Sequence, residues 1–406
     1  MRFTTLAATA ASVLLSSTLV SATIGGSNFH HIEPRMLQHR KRVYYPKKAA
    51  GLKTVTTPTG VTIRYKEPGK EGICETTPGV NSYSGHIDIA PNVHVFFYFF
   101  ESRSNPASDP LSLWLNGGPG SDSLIGLFDE LGPCRINSNL SSVLNPYSWN
   151  DVSNMLFLSQ PVGTGFSYQE TAKGSEQSYT GTFLNATQAN ATGTYPILDP
   201  VDKGEIDTTD LAAIAAWHII QGFLSGLEQL GATIGTSRDF NLWTESYGGH
   251  YGPAFFNYFQ KQNAAIANGS MPGYALNMAT LGIGNGIIDE YIQAPMYPEF
   301  ATKNTYGIVA YNKTVYDYAT FALNWPNGCL AFIEGCIGAA AGIDGGLVRN
   351  GHGDVITEVA SSNPSIATYC SEGQDMCRDN VETPYYVFGG RGVYDVSFEC
   401  IVCTHA

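Results

Sequence analysis

The chain has 406 residues, 43% of them hydrophobic, with 44 glycines and 23 tyrosines, enough for a sizeable core in one α/β domain or in two or three smaller ones. A formal net charge of -13 argues against nucleic acid or an anionic membrane as a partner. Past the N-terminus no stretch approaches 18 unbroken apolar residues, so no membrane span is expected.

Residues 1–22 read as a secretory signal peptide: Arg2 is the positive n-region, Leu6 to Val20 the apolar core, and Val20-Ser-Ala22 a small-residue cleavage site. Residues 23–48 turn basic, with Arg35, Arg40, Lys41, Arg42, Lys47 and Lys48. They read either as a short propeptide cut after Arg42 or as a solvated disordered arm. The folded domain is expected over 49–406. Strands begin near Val55, and Thr62 to Tyr65 alternates. His94 to Phe100 and Leu111 to Leu115 are apolar enough for strands covered on both faces, with Asn105 to Pro110 as a turn between them. Asn154 to Leu158 is a further strand. Asp207 to about Leu230 has helical spacing, with Thr208 or Thr209 as its cap. Arg238 to Trp243 reads as a strand, Gly249 to about Ala267 as a helix, and Tyr274 to Ile283 as a return to the sheet. Such alternation predicts an α/β sheet with helices on both faces.

The chemistry concentrates in Phe240-Asn-Leu-Trp-Thr-Glu-Ser-Tyr-Gly-Gly-His-Tyr-Gly-Pro253. A serine between an apolar strand and a small-residue helix start is the layout of a nucleophile elbow, which lifts the hydroxyl above the sheet. Gly248 fills the second glycine position of G-x-S-x-G, and Thr244 stands where the first is expected. Upstream, Leu113-Trp-Leu-Asn-Gly-Gly-Pro-Gly-Ser-Asp-Ser123 runs from a strand into a turn whose bare N–H groups suit an oxyanion hole.

With Phe128-Asp-Glu-Leu-Gly-Pro133, Asn154 to Tyr168 and Gly284-Asn-Gly-Ile-Ile-Asp289, these segments resemble the serine carboxypeptidases, most nearly the secreted fungal branch. The resemblance runs from about Gly72 to about Asp395. It implies an α/β-hydrolase fold with a mostly parallel central sheet and a cap inserted over about 290–380. It also implies release of C-terminal residues from peptides at acidic pH through an acyl-enzyme on Ser246. The backbone N–H groups of Gly118 and Tyr247 would form the oxyanion hole. Asn116, Glu130 and Glu245 would bind the substrate's free carboxylate. Two glutamates facing an anion work only if the pair holds a proton, which a close carboxyl pair does by raising one pKa.

The same resemblance implies a triad aspartate and histidine after Ser246, farther downstream than this chain reaches. His250 reads as local packing in the elbow, His352 as a turn residue, and His405 as too near the end to be held. Val396 to Ala406 departs from the family pattern, so the last strands and both triad partners are expected to be missing and the chain as written inactive. Two alternatives stay open: a non-catalytic secreted glycoprotein that binds peptide C-termini, or a carboxypeptidase-like acyltransferase.

Eight cysteines, at 74, 134, 329, 336, 370, 377, 400 and 403, favour disulfides of open connectivity, with pairs inside the cap region expected. A structural metal is not expected, because the six residues between Cys329 and Cys336 and between Cys370 and Cys377 are not zinc-finger spacing and no H-E-x-x-H occurs; no cofactor is expected either. Cys400-Ile-Val-Cys403 is not expected to be a redox centre. Ser121 replaces the cysteine that relatives often carry after Gly-Gly-Pro-Gly. Asn139, Asn185, Asn190, Asn268 and Asn312 open glycosylation sequons, in keeping with an extracellular protein or one delivered to a vacuole by the secretory route.

Overall fold

The computed structural model describes residues 50–176, 183–184, 191–196, 208–234, 239–340, 347–349, 355–358, 364–392 and 394–399. The signal-peptide and arm segments, Asn185, Asn190, His352, Cys400, Cys403 and His405 lie outside the described residues.

Nine strands form one sheet: β1 (Lys53–Thr56), β2 (Thr62–Lys66), β3 (Ser82–Ala90), β4 (Val93–Phe100), β5 (Leu111–Leu115), β6 (Asn154–Leu158), β7 (Tyr168–Gln169), β8 (Asp239–Glu245) and β9 (Asn277–Gly284). Their order is β1-β2-β3-β4-β6-β5-β8-β9, with β7 paired to β4. From β1 to β6 each pair is antiparallel, while β6, β5, β8 and β9 run parallel. The expected mostly parallel sheet is therefore mixed, and only the half that carries the serine is parallel. The reason is the connections: β3 and β4 are joined by a tight hairpin, whereas β8 reaches β9 through a helix.

Side chains alternate across the sheet. Val95, Phe97, Phe99, Leu111, Leu113, Leu115, Leu156, Leu158, Phe240 and Leu242 belong to one core, under helices α1 (Thr209–Leu230) and α2 (Gly248–Ala267). Tyr98, Phe100, Trp114, Met155 and Phe157 point the other way, into a second core closed by Leu124, Leu127, Leu131 and Trp149. Both faces are thus covered, but only the first by long helices. On the second, a π-helical turn (Gly126–Glu130) and bulky aromatic rings fill the space. Trp149 makes edge contacts with Trp114 and Trp243 at 5.6 and 4.9 Å between ring centroids.

Helix α1 is capped as its sequence suggests: Thr208 accepts a hydrogen bond from the Leu211 N–H, and Gly231 closes the helix in the left-handed conformation. By length and apolarity this helix could cross a membrane, yet its apolar face, with Trp217, Ile220, Phe223 and Leu227, is buried in the first core.

After β9 the chain forms α3 (Lys313–Asn324), α4 (Cys329–Ala340) and α5 (Pro364–Cys377). Disulfides Cys329–Cys377 and Cys336–Cys370 join α4 to α5, so the four cysteines between 329 and 377 pair among themselves. A third, Cys74–Cys134, links the segment before β3 to the residues that follow the π-helical turn. Of the sequons, Asn139, Asn268 and Asn312 are exposed, and the Asn312 side chain caps α3 through the Val315 N–H.

Candidate active site

Parallel strands β5 and β8 lie side by side, with Leu115 opposite Thr244, so the residues that leave their carboxyl ends meet above the sheet. Ser246 follows β8 with φ at 57°, a left-handed conformation that costs a non-glycine residue on the order of 1–3 kcal/mol and persists only where neighbours impose it. Here they do. The Ser246 N–H donates to Gly284 O at 2.9 Å, and its carbonyl accepts from Gly249 N at 2.9 Å and Ile287 N at 2.8 Å. The serine is thereby tied to the start of α2 and to the Gly284–Asp289 segment that follows β9.

Thr244 occupies the elbow's first glycine position because the helix supplies the missing room instead. Its side chain is fully buried and its hydroxyl donates to Gly248 O at 3.0 Å. A Cβ on Gly248 would lie 2.4 Å from Thr244 Cβ. Threonine on the strand therefore requires glycine on the helix.

The turn after β5 closes on the serine. A Cβ on Gly117 would sit 2.6 Å from Ser246 Cβ and 2.7 Å from the Tyr247 nitrogen, so only glycine allows this approach. Gly118 follows at φ 114°, before a cis peptide to Pro119. Among the described residues neither the Gly118 nor the Tyr247 N–H is engaged by another hydrogen-bond partner.

Beside the serine stands an amide between two carboxyls. Asn116 is 3% exposed, and its Oδ1 accepts from Trp114 Nε1 and from Gly126 N, both at 2.9 Å. Those two donors fix the amide orientation, leaving Nδ2 to donate to Glu245 Oε2 at 2.7 Å and Glu130 Oε1 at 3.0 Å. Tyr251, at the end of the first turn of α2, donates its hydroxyl to the Asn116 carbonyl. Burial first, and the adjacent Glu130 charge second, push the Glu245 carboxyl above its ordinary range, while the Asn116 hydrogen bond opposes them. The structure thus brings together Ser246, Gly118, Tyr247, Asn116, Glu130 and Glu245. His250 is exposed, its ring 4.8 Å from that of Tyr247, and among the described residues no histidine is hydrogen-bonded to Ser246.

A serine at a strained strand-to-helix turn, over parallel strands and against a glycine turn with free N–H groups, defines the α/β-hydrolase class. The chain belongs to the serine carboxypeptidase family, whose profile matches residues 68–402. It is 36% identical over 389 residues to carboxypeptidase S1 homolog B of Arthroderma otae, covering 88% of this chain and 56% of that protein. With carboxypeptidase S1 of Penicillium janthinellum it shares 36% identity over 326 residues, covering 80% and 62%. A crystal structure of Kex1(delta)p, a prohormone-processing carboxypeptidase from Saccharomyces cerevisiae, aligns with TM-score 0.48 and 19% identity over 79% of this chain and 64% of that one. The chain spans about half the length of the curated relatives it matches.

Proposed function

We propose that this protein is a serine-type carboxypeptidase that removes C-terminal residues from peptides, with Ser246 as nucleophile. The observation that carries this reading is the joining of two devices at one point: an elbow serine against unengaged N–H groups, and an amide–carboxyl cluster suited to a terminal carboxylate. The substrate's C-terminal carboxylate accepts from the proton held by the Glu130–Glu245 pair and from Asn116 Nδ2, which exchanges one of its two carboxyl partners for it. Its scissile carbonyl then lies over Ser246. Ser246 Oγ adds to the carbonyl carbon and the oxyanion turns to the N–H groups of Gly118 and Tyr247. Collapse expels the terminal amino acid and leaves an acyl-enzyme, which water hydrolyses. A general base must take the serine proton and give it to the leaving amine, and no described residue fills that role.

Three disulfides among the described residues support passage through the oxidising secretory route, in accord with the signal-peptide reading, whether the destination is extracellular or vacuolar. Glycans are proposed at Asn139, Asn268 and Asn312 on the surface, and at Asn185 and Asn190 from sequence.

The test uses an N-blocked peptide offered as free acid and as C-terminal amide. Release of the terminal amino acid from the acid only, abolished in Ser246→Ala, supports the peptidase. Acid-selective binding without release moves the peptide-binding glycoprotein to the front. Transfer of the acyl group to an added alcohol in preference to water identifies an acyltransferase.

A further inference from the structure

Glu130 ends the π-helical turn, and the chain runs on as Leu131-Gly-Pro-Cys134. Nothing in the sequence marks what holds that run, yet each of its first three carbonyls is bonded from elsewhere. Leu131 O accepts from Ser148 Oγ at 3.1 Å and Trp149 N at 3.0 Å. Gly132 O accepts from Asn145 Nδ2 at 2.9 Å. Pro133 O accepts from Asn145 N at 2.8 Å and from Arg103 Nη2 at 3.2 Å. Cys134 is then bonded to Cys74, and the residue after Cys74 is Glu75, fully buried.

Arg103 joins these pieces. Its Nε donates to Glu75 Oε2 at 2.9 Å, and its Nη1 donates to Asn145 O at 2.9 Å and Asp151 Oδ1 at 2.8 Å. Glu75 also accepts from Asn150 Nδ2 at 2.7 Å and from the Thr77 N–H at 2.9 Å. One planar guanidinium therefore spans two carboxylates and two backbone carbonyls, a set of partners that a lysine ammonium cannot match.

We propose that Arg103, paired with Glu75, is a positioning residue for the carboxylate site: it fixes the Leu131–Cys134 run and so sets where Glu130 stands against Asn116 and Glu245. This rests on reading Asn116, Glu130 and Glu245 as the site for the terminal carboxylate. Glu130 is attached to the second core by the short run that Arg103 holds. Displacing that run moves the Glu130 carboxyl while leaving Asn116, directly after β5, and Glu245, the last residue of β8, in place. Selectivity for a free carboxylate is therefore lost before the fold is.

The experiment compares the affinities of the full chain for an N-blocked dipeptide acid and its amide, by calorimetry at acid pH, in the wild type, Arg103→Lys and Ser148→Ala. The ratio of the two affinities is the readout, because general destabilisation lowers both together. The expected result is a fall in acid-over-amide preference of about tenfold in Arg103→Lys, the worth of one charged hydrogen bond, and a smaller fall in Ser148→Ala. An unchanged ratio in folded Arg103→Lys overturns the proposal. If that variant does not fold, an unchanged ratio in Ser148→Ala overturns it. A wild type with no preference for the acid overturns the site reading itself, and the positioning role falls with it.

Discussion

Asn116 and Glu245 leave neighbouring parallel strands and meet at 2.7 Å, the amide donating to a carboxyl whose surroundings favour its protonated form. A neutral Glu245 can donate to an incoming carboxylate; an ionised one repels it. Affinity for a free-acid peptide is therefore expected to be highest at acid pH and to fall as pH rises through the raised Glu245 range. Glu245→Gln, neutral at every pH, should flatten that dependence. Dissociation constants measured from about pH 4 to about pH 8, against an ordinary glutamate pKa near 4.3, check both statements. Equal affinity across that range in the wild type would count against a shared proton.

Thr244 and Gly248 are expected to be coupled. Gly248→Ala places a methyl 2.4 Å from Thr244 Cβ and should cost about 1–3 kcal/mol, the usual cost of overpacking. Thr244→Gly removes a hydroxyl that donates to Gly248 O, but it also opens the space. The double variant should then be more stable than Gly248→Ala alone, which urea midpoints of the three variants will read. Additive losses would show that the two residues do not share the space.

Gly117→Ala should be more severe, since the clash falls on Ser246 Cβ and on backbone atoms that cannot rotate away. Loss of Ser246 labelling by a fluorophosphonate, compared with a labelled wild type, is the expected outcome. A Gly117→Ala protein labelled at the wild-type rate would mean that the turn does not press on the serine.

Stability should respond to pH through two glutamates pushed in opposite directions. Burial alone would raise the Glu75 carboxyl, but hydrogen bonds from Thr77 and Asn150 and the Arg103 charge bring it below its ordinary range. Its contribution is present above the unfolded pKa and is lost as pH falls through the depressed folded value. Glu245 has the reverse sign: its contribution is present below the unfolded pKa and lost as pH rises through its raised value. Glu75→Gln leaves the Arg103 charge less well paired and should cost about 3–5 kcal/mol near neutrality, as breaking a buried pair does. The gap in Tm between wild type and variant should narrow as pH falls below the ordinary glutamate range, where Glu75 of the wild type takes up its proton. A gap that stays constant down to acid unfolding would remove Glu75 from the account.

Much of the serine half of the fold was legible because its signals are local. Leu111–Leu115 and Asn154–Leu158 are short apolar runs between turn residues and form strands at those bounds. Thr208 caps α1 by the ordinary side-chain mechanism, and the elbow is a contiguous motif. The antiparallel half was less legible, since an apolar run such as Val93–Phe100 shows that a strand is buried and not which way its neighbours run. Pairing Cys74 with Cys134 needed contacts across 60 residues of chain. Arg103 carries no sequence signal: one arginine in a loop has no periodicity and no motif, and its meaning lies in its partners Glu75, Pro133, Asn145 and Asp151, which are distant in the chain.

The two sulfur bridges between α4 and α5 are nested, Cys336–Cys370 lying inside Cys329–Cys377, the cysteines on each helix standing seven positions, or about two helical turns, apart. A protease that cuts anywhere between Cys336 and Cys370 therefore breaks the backbone without dividing the molecule, and the two fragments part only when a reductant is added. In a fluid where peptide bonds are under constant attack, the survival of this region is governed by the redox state of its surroundings more than by the continuity of its chain.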